Sequence, residues 1–493
     1  MRVIMLLSIL LVLVRGMAFA ADDPVQKALK AYEKHRYEEA ARDLRAALPS
    51  LEQSKQSQAQ LALGMIYLKN AELHRELQQA SVSANTDYLK HLAGDRGESR
   101  SRYSELYRGL ALLESGKPDQ ATAPLEKFIA GGNDARYSAI ASIGLGTAAY
   151  LTGNRQKAQT IWSGIREGSP EVRTELAAAW SRAGVAEKNA PALCDETLAA
   201  VRKSGQSISS VAVKNCLAVY ARAGQVEKAR NLLSGADLKA YSYRESLGKS
   251  KVLSFYDIRL LDSLSVYYLQ ESLASLEKAA SDQGLRTIAN YYLGEAYALA
   301  GNADQSLKAT QVFLGASQAP HQYKNRALVR QAALQYQKGR QAESIGIWDD
   351  LIKGQPNDPE LLSDILASCG RLRIECSRPA QAAADAVEKG EGRRFSVTNI
   401  GLGRYFFGRK DYAKALVHLE AGRDKGNKNK IEFNDPLMLV DLAEAYYRTK
   451  KYSEALEIYF EMSKQFPQVR QVQEALQGVY SMEHKSAGDV KIN

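Results

Sequence analysis

Along this chain a small residue recurs with a second small residue twelve positions on and a large apolar one four further. Gly109, Ala121 and Leu125 carry the pattern, as do Gly146, Ala158 and Trp162. It returns at Ala28, Ala40 and Leu44, at Gly403, Ala415 and Leu419, and at Ala443, Ala455 and Tyr459. Looser copies run Leu217, Ala229, Leu233, then Ala332, Ser344, Trp348, then Gly294 with Ser306. Gly64, in "LALGMIYL", begins one whose second half is blurred. A four-residue step puts both side chains on one face of a helix. Between the small positions lie "ESGKPDQA", "LTGNRQKA", "RAGQVEKA", "ALAGNADQS" and "FGRKDYAKA". Each offers Gly or a polar pair that ends one helix and starts the next. The pattern predicts an all-α chain of helix–turn–helix units.

These residues resemble the tetratricopeptide repeat family, whose unit is a helix pair of about 34 residues. In that reading the first small residue lies where the second helix crosses closely and no Cβ fits. Tyr67, Tyr220, Tyr297, Phe406 and Tyr446, each three after the small position, match the family's gap-filling aromatic. Pro170, Pro356 and Pro467 fall where the family ends its second helix. The fold class is an α-solenoid superhelix over residues 21–482, with 483–493 as a loose tail. Small positions stand at 28, 64, 109, 146, 217, 294, 332, 403 and 443. The steps 146–217, 217–294 and 332–403 are double length, so each predicts a hidden degenerate pair, for about twelve units in all. Extra length before Gly109 predicts an enlarged unit or a loop.

The resemblance also implies a concave groove lined by the first helix of each pair. It carries partner contacts over to Leu110, Glu114, Thr147, Tyr150, Arg222, Glu295, Tyr336, Arg404, Phe407, Glu444, Tyr447 and Arg448, with Tyr291 and Ile400 sharing the groove. Tyr and Arg suit binding hot spots.

Composition fits a folded helical protein, with 45% hydrophobic and 25% charged residues and only 12 prolines. Residues 1–20 read as a cleaved signal peptide: Arg2, an apolar run from Val3 to Val14, and Ala18-Phe19-Ala20. That run is too short for a membrane span, which needs about 20 residues. No transmembrane segment is expected in the mature chain. Export changes the reading of the four cysteines, which pair locally as Cys194 with Cys216 and Cys369 with Cys376. Two disulfides are expected, stapling helices where the repeat is most degenerate. Removing Arg2 and Arg15 takes the formal charge from +10 to +8, with the basic residues scattered. Nucleic acid is not an expected partner; an anionic polysaccharide stays open.

Candidate chemistry is sparse. Residues 144–149 read as a relaxed G-x-G-x-x-A, but a dinucleotide loop needs a preceding strand. Here the glycines fall in mid-helix, at a spacing repeated elsewhere. No H-E-x-x-H, G-x-S-x-G, P-loop or C-x-x-C occurs. No catalytic residue, cofactor or metal is expected. The expected role is a periplasmic, non-catalytic scaffold holding an extended segment or helix of other cell-envelope proteins. Two alternatives remain. One is a component of an exopolysaccharide synthesis and secretion system, coupling inner-membrane synthase to outer-membrane export. The other is an enzyme with a site hidden in the solenoid.

Overall fold

A computed structural model describes residues 23–94, 104–114, 116–132, 135–185, 188–234, 244–247, 250–253, 255–317, 319–388, 393–423, 435–466, 468–469, 472–473 and 476–480. The expected signal segment 1–20 and tail 483–493 lie outside these residues. In chain order the helices are α1 (Pro24–Glu33), α2 (Tyr37–Ala47), the long α3 (Gln53–Gly94), α4 (Ser104–Glu114), α5 (Pro118–Ala130), α6 (Ala135–Leu151) and α7 (Arg155–Ser163). Then come α8 (Pro170–Ala183), α9 (Ala190–Lys203), α10 (Ser210–Arg222), α11 (Val226–Ser234) and a hairpin of β1 (Arg244–Leu247) and β2 (Ser250–Leu253). The strands pair antiparallel, with Arg244 opposite Leu253. The long α12 (Phe255–Ala280) follows, then α13 (Arg286–Leu299), α14 (Ala303–Gly315), α15 (His321–Gln337) and α16 (Gln341–Gly354). The chain continues through α17 (Pro359–Leu372), α18 (Ser377–Glu388), α19 (Arg393–Gly408), α20 (Tyr412–Arg423), α21 (Pro436–Arg448) and α22 (Tyr452–Ser463).

The small positions do what the spacing predicts. A Cβ on Gly109 would fall 2.5 Å from Leu125, and one on Gly146 would fall 2.4 Å from the Trp162 indole. On Gly403 it would meet Leu419 at 2.6 Å. The register extends into the turns: except after Gly64, whose helix runs on, the residue seven after each small position has positive φ, as at Gly153 (93°), Gly224 (67°) and Gly301 (75°). Three pairs place His35, Lys410 and Lys450 there instead, at φ 57°, 65° and 63°.

The described residues fall into two compact units. One comprises those of Met1–Leu73 and Glu271–Ile458; the other comprises those of His74–Gln270 and Tyr459–Asn493. Along the chain the second is therefore largely an insertion between two parts of the first. Gly64 shows how those two parts of the first unit are joined. Its missing Cβ would lie 2.5 Å from Leu276 of α12, and its carbonyl accepts from Ser272 Oγ at 2.8 Å. Ser306 Oγ bonds the Gly294 carbonyl in the same way, at 2.6 Å. Ser272 and Leu276 are thus the second small residue and the large residue of the repeat begun at Gly64. The helices α3 and α12 form one pair whose halves are far apart in sequence.

The double-length steps resolve unequally. The step 146–217 contains α8 and α9, and 332–403 contains α17 and α18, each a helix pair with a longer turn. Among its described residues the step 217–294 holds no pair of its own. Its helix α12 completes the repeat of Gly64 instead, a correction to the expected degenerate unit. Pro170 also differs from expectation: it opens α8 at the first helical position, where its missing N–H costs nothing.

Tyrosines bind successive pairs together. Tyr220 Oη donates to Asp195 at 2.8 Å, Tyr297 to Glu277 at 2.8 Å and Tyr446 to Glu420 at 2.7 Å. Each joins a first helix to the second helix before it. Burial, and then the bond to Glu277, pushes the Tyr297 phenol up to about 12. Glycines set the closest approach, between α17 and α19. A Cβ on Gly401 would lie 2.5 Å from Ser363 Cα, and one on Gly370 would lie 2.5 Å from the Arg404 carbonyl oxygen.

Candidate partner-binding faces

In the inserted unit the first helices α4, α8 and α10 meet the beginning of α12, and the meeting is ionic. Arg259 of α12 is 1% exposed. Its Nε and Nη2 donate to Glu114 Oε1 at 3.1 and 3.0 Å. Nη1 and Nη2 donate to the two Glu175 oxygens at 2.7 and 3.0 Å, and Nη1 also reaches Asn215 Oδ1. All the donors of the guanidinium fork are thereby used. Arg182 adds a 2.5 Å bond to Glu114, and Arg222 pairs with Asp262 one turn along α12. Burial pushes the Glu114 carboxyl up, but Arg182, Arg259 and Arg222 outweigh it and leave its pKa below the ordinary value. Leu260, Leu261 and Leu264 are buried around the arginine. This first-helix face is filled by a helix of the chain itself.

In the other unit the first helices are joined laterally. Glu295 of α13 pairs with Arg330 of α15 at 3.5 Å, and Arg326 of α15 donates to Asp364 of α17 at 2.8 Å. Arg404 of α19 donates to Asp441 of α21 at 2.7 Å. Asp364 holds the Arg326 guanidinium above its ordinary range despite burial, whereas burial raises Asp441 against the pull of Arg404. The side chains stay reachable, with Arg326 30% and Arg404 26% exposed.

The residues expected in the groove separate into two groups. Those four after the small position pack against their own second helix: Tyr150 stacks on Trp162 at 5.8 Å and Tyr336 on Trp348 at 6.5 Å. Phe407 meets Tyr412 at 5.4 Å and Tyr447 meets Tyr452 at 5.8 Å. Those one or five after it carry the ionic links: Glu295, Arg404, Arg222, and Arg448 with Glu444 at 3.4 Å. Tyr291, Glu444 and Tyr447 are buried rather than presented. Tyr291 is enclosed by Tyr323, ring centroids 4.5 Å apart, and by Arg330 at 4.9 Å from its ring. Leu110 and Thr147 are buried as well, and Thr147 Oγ1 donates to the Ile143 carbonyl. Arg259, Glu175, Arg182 and Asn215 lie outside the repeat positions from which the groove is expected. The one visible signal was a charged pair, Arg259 and Asp262, inside the otherwise apolar stretch "IRLLDSLSVYYL".

Cys369 and Cys376 are joined, S–S 2.00 Å, across the turn between α17 and α18. Cys194 and Cys216 are free thiols, both buried, where a second bridge was expected. They fill interior positions on α9 and α10. Among the described residues no cluster of His, Cys, Asp and Glu could hold a metal ion, and no helix is long and apolar enough to cross a membrane.

No family model and no curated protein matches the chain. Among solved structures it is similar to yeast Tom70, at 13% identity over 94% of this chain and 95% of that one, TM-score 0.30. It is similar to the APC/C hetero-tetramer Cut9–Hcn1, at 13% identity over 92% and 95%, TM-score 0.27. It is also similar to the human IFIT1 dimer with m7Gppp-AAAA, at 13% identity over 84% and 95%, TM-score 0.25. These superpositions are loose, and the fold rests on the packing described above: paired helices, small residue against large, repeated along the chain.

Proposed function

We propose that this chain is an exported, non-catalytic scaffold that holds a helical segment of another cell-envelope protein. The binding face is formed by the first helices α13, α15, α17, α19 and α21. The observation that carries the reading is the inserted unit, where the same kind of face already grips a helix through Arg259 and Arg222. The proposed face presents alternating charges in Glu295, Arg326, Asp364, Arg404 and Asp441, which suits a helix of mixed charge. It suits an anionic polysaccharide less well. Arg326, Arg330, Arg404 and Arg448 are each paired with a carboxylate, which a polymer would have to displace. Export rests on the leader-like segment 1–20, and the joined Cys369 and Cys376 fit an oxidising compartment.

The test is cross-linking of tagged protein in its native envelope, followed by purification and mass spectrometry. An Arg326→Ala, Arg404→Ala variant runs alongside, with its helix content checked by circular dichroism. One or two envelope proteins should be recovered in near-equal amount and be lost in the variant. Recovery of glycan without protein, or equal recovery from a folded variant, rejects the reading.

A further inference from the structure

In the turn between the two helices of a pair, a left-handed residue closes the first helix. Gly116, Gly153, Gly184, Gly224, Gly301 and Gly339 take that place in six pairs. Gly does so without strain, whereas a Cβ makes the conformation costly. In the three consecutive pairs begun by α17, α19 and α21 the place is taken by Arg373, Lys410 and Lys450, at φ 56°, 65° and 63°. A helix dipole favours a cation there, but the same dipole ends the six helices that close on Gly. Further cations flank these positions: Arg409 precedes Lys410, Lys451 follows Lys450, and Arg340 follows Gly339 in the turn before. All six basic residues are exposed. Packing sets the turns side by side. Gly408, next to Arg409, has no room for a Cβ against the Gly370 carbonyl, which accepts from the Arg373 N–H at 3.0 Å. Arg448 lies over the Tyr412 ring at 5.8 Å, which joins the turn of Lys450 to that of Lys410. Among the described residues no ion pair engages Arg340, Arg373, Arg409 or Lys410. Glu375, Asp411 and Glu454 share this edge but are outnumbered, and Asp411 is held by Lys414 at 3.3 Å.

We propose that this turn edge docks the chain on a phospholipid surface bearing anionic headgroups. Packed helices lie about 8–10 Å apart, so four successive turns spread their cations over roughly 30 Å. Charges spread in that way all come within a Debye length of counter-charge, about 8 Å at physiological ionic strength, only when the counter-charge is itself extended. A compact anion reaches one tip. The cations of the first-helix face are paired, as in Arg326 with Asp364 and Arg404 with Asp441. Arg340, Arg373 and Lys410 at the turn edge have no carboxylate to give up, so headgroups meet them without displacing anything. The strain accepted at Arg373, Lys410 and Lys450 then has a use, since Gly would close the helices as well but would carry no charge. No described helix is long and apolar enough to cross a membrane. The edge supplies attachment of another kind, which is electrostatic, reversible and weakened by salt.

The test is co-sedimentation of the full chain, without its leader-like segment, with unilamellar vesicles of equal parts phosphatidylglycerol and phosphatidylcholine. Vesicles of phosphatidylcholine alone and alginate, a soluble acidic polysaccharide, run alongside. The protein should bind the phosphatidylglycerol vesicles, release them as salt is raised, and ignore phosphatidylcholine. Each cation held at an anionic surface is worth roughly fivefold in binding, so the triple variant Arg373→Gly, Lys410→Gly, Lys450→Gly should bind on the order of 100-fold more weakly. Gly suits all three left-handed positions, so the thermal midpoint of this variant should not fall. A second variant, Arg340→Gln with Lys451→Gln, leaves those positions untouched and should lose roughly 25-fold on the same scale. Lys203→Gln, Lys308→Gln, Lys353→Gln removes as much charge from second helices and should change binding little. The proposal is overturned if the phosphatidylglycerol vesicles are not bound, or if this last variant loses as much as the first. Binding to alginate with none to the vesicles also overturns it, and assigns the edge to an acidic glycan.

Discussion

Replacing Arg259 with Met tests whether the inserted unit depends on the ionic grip on α12. Met has a similar length and no charge, so packing is largely kept while the fork is lost. Glu114 and Glu175 side chains are each 4% exposed and Arg259 is 1% exposed, so water cannot replace the lost donors. Glu114 keeps Arg182 at 2.5 Å, whereas Glu175 loses both of its guanidinium bonds. Breaking a buried pair by removing one partner costs about 3–5 kcal/mol, because a charge is left uncompensated. We expect a loss in that range in urea denaturation followed by helical circular dichroism. Hydrogen exchange should place the loss in α12, α4, α8 and α10. Arg259→Lys should recover only part of it, since an ammonium has three donors and no planar fork. Adding Glu175→Gln to Arg259→Met should restore stability by removing the stranded charge. A loss below about 1 kcal/mol for Arg259→Met, in the range of an exposed pair, would refute the argument.

Exchanging the charges of the neighbouring pair, Arg222→Asp with Asp262→Arg, should retain more stability than either single change, and a double-mutant cycle measures the coupling. Gly401→Ala should destabilise by about 1–3 kcal/mol, because its Cβ meets the Ser363 backbone at 2.5 Å and no side chain can yield. Gly346→Ala should raise the thermal midpoint instead: its Cβ has nothing within 4 Å, and Ala is favoured over helical Gly by about 1 kcal/mol. The depressed Glu114 pKa gives stability that is fully present above the unfolded carboxyl value of about 4.3 and lost as pH falls through the folded value. In Arg182→Met, which removes its strongest opposing charge, the folded value rises, so acid titration of the fold should show a smaller loss that is complete at higher pH.

The local repeat was legible because it is steric. Gly146 cannot bear a Cβ under Trp162, and the same demand recurs wherever two helices cross with this turn length. Positions four after the small residue obey a related demand. Aromatics such as Tyr150 and Tyr336 stack on a large partner of their own second helix. Links between pairs were not legible. The carboxylates that meet Tyr220, Tyr297 and Tyr446 lie 25, 20 and 26 residues away, on helix faces that look solvated. The grip on Arg259 joins residues up to 145 apart, beyond any periodicity.

The divided pair of α3 and α12 has a consequence for synthesis. Gly64 emerges from the ribosome 208 residues before the Ser272 that bonds its carbonyl. At about 5–20 residues per second, the apolar seam of α3 waits on the order of 10–40 s for its partner. An entire inserted unit is made during that wait. The nascent chain must therefore keep one half of a hydrophobic contact from false partners until the other half arrives. Conditions that slow translation across residues 74–270, or deplete holding chaperones, bear on the yield of this protein more than on the stability of its finished fold.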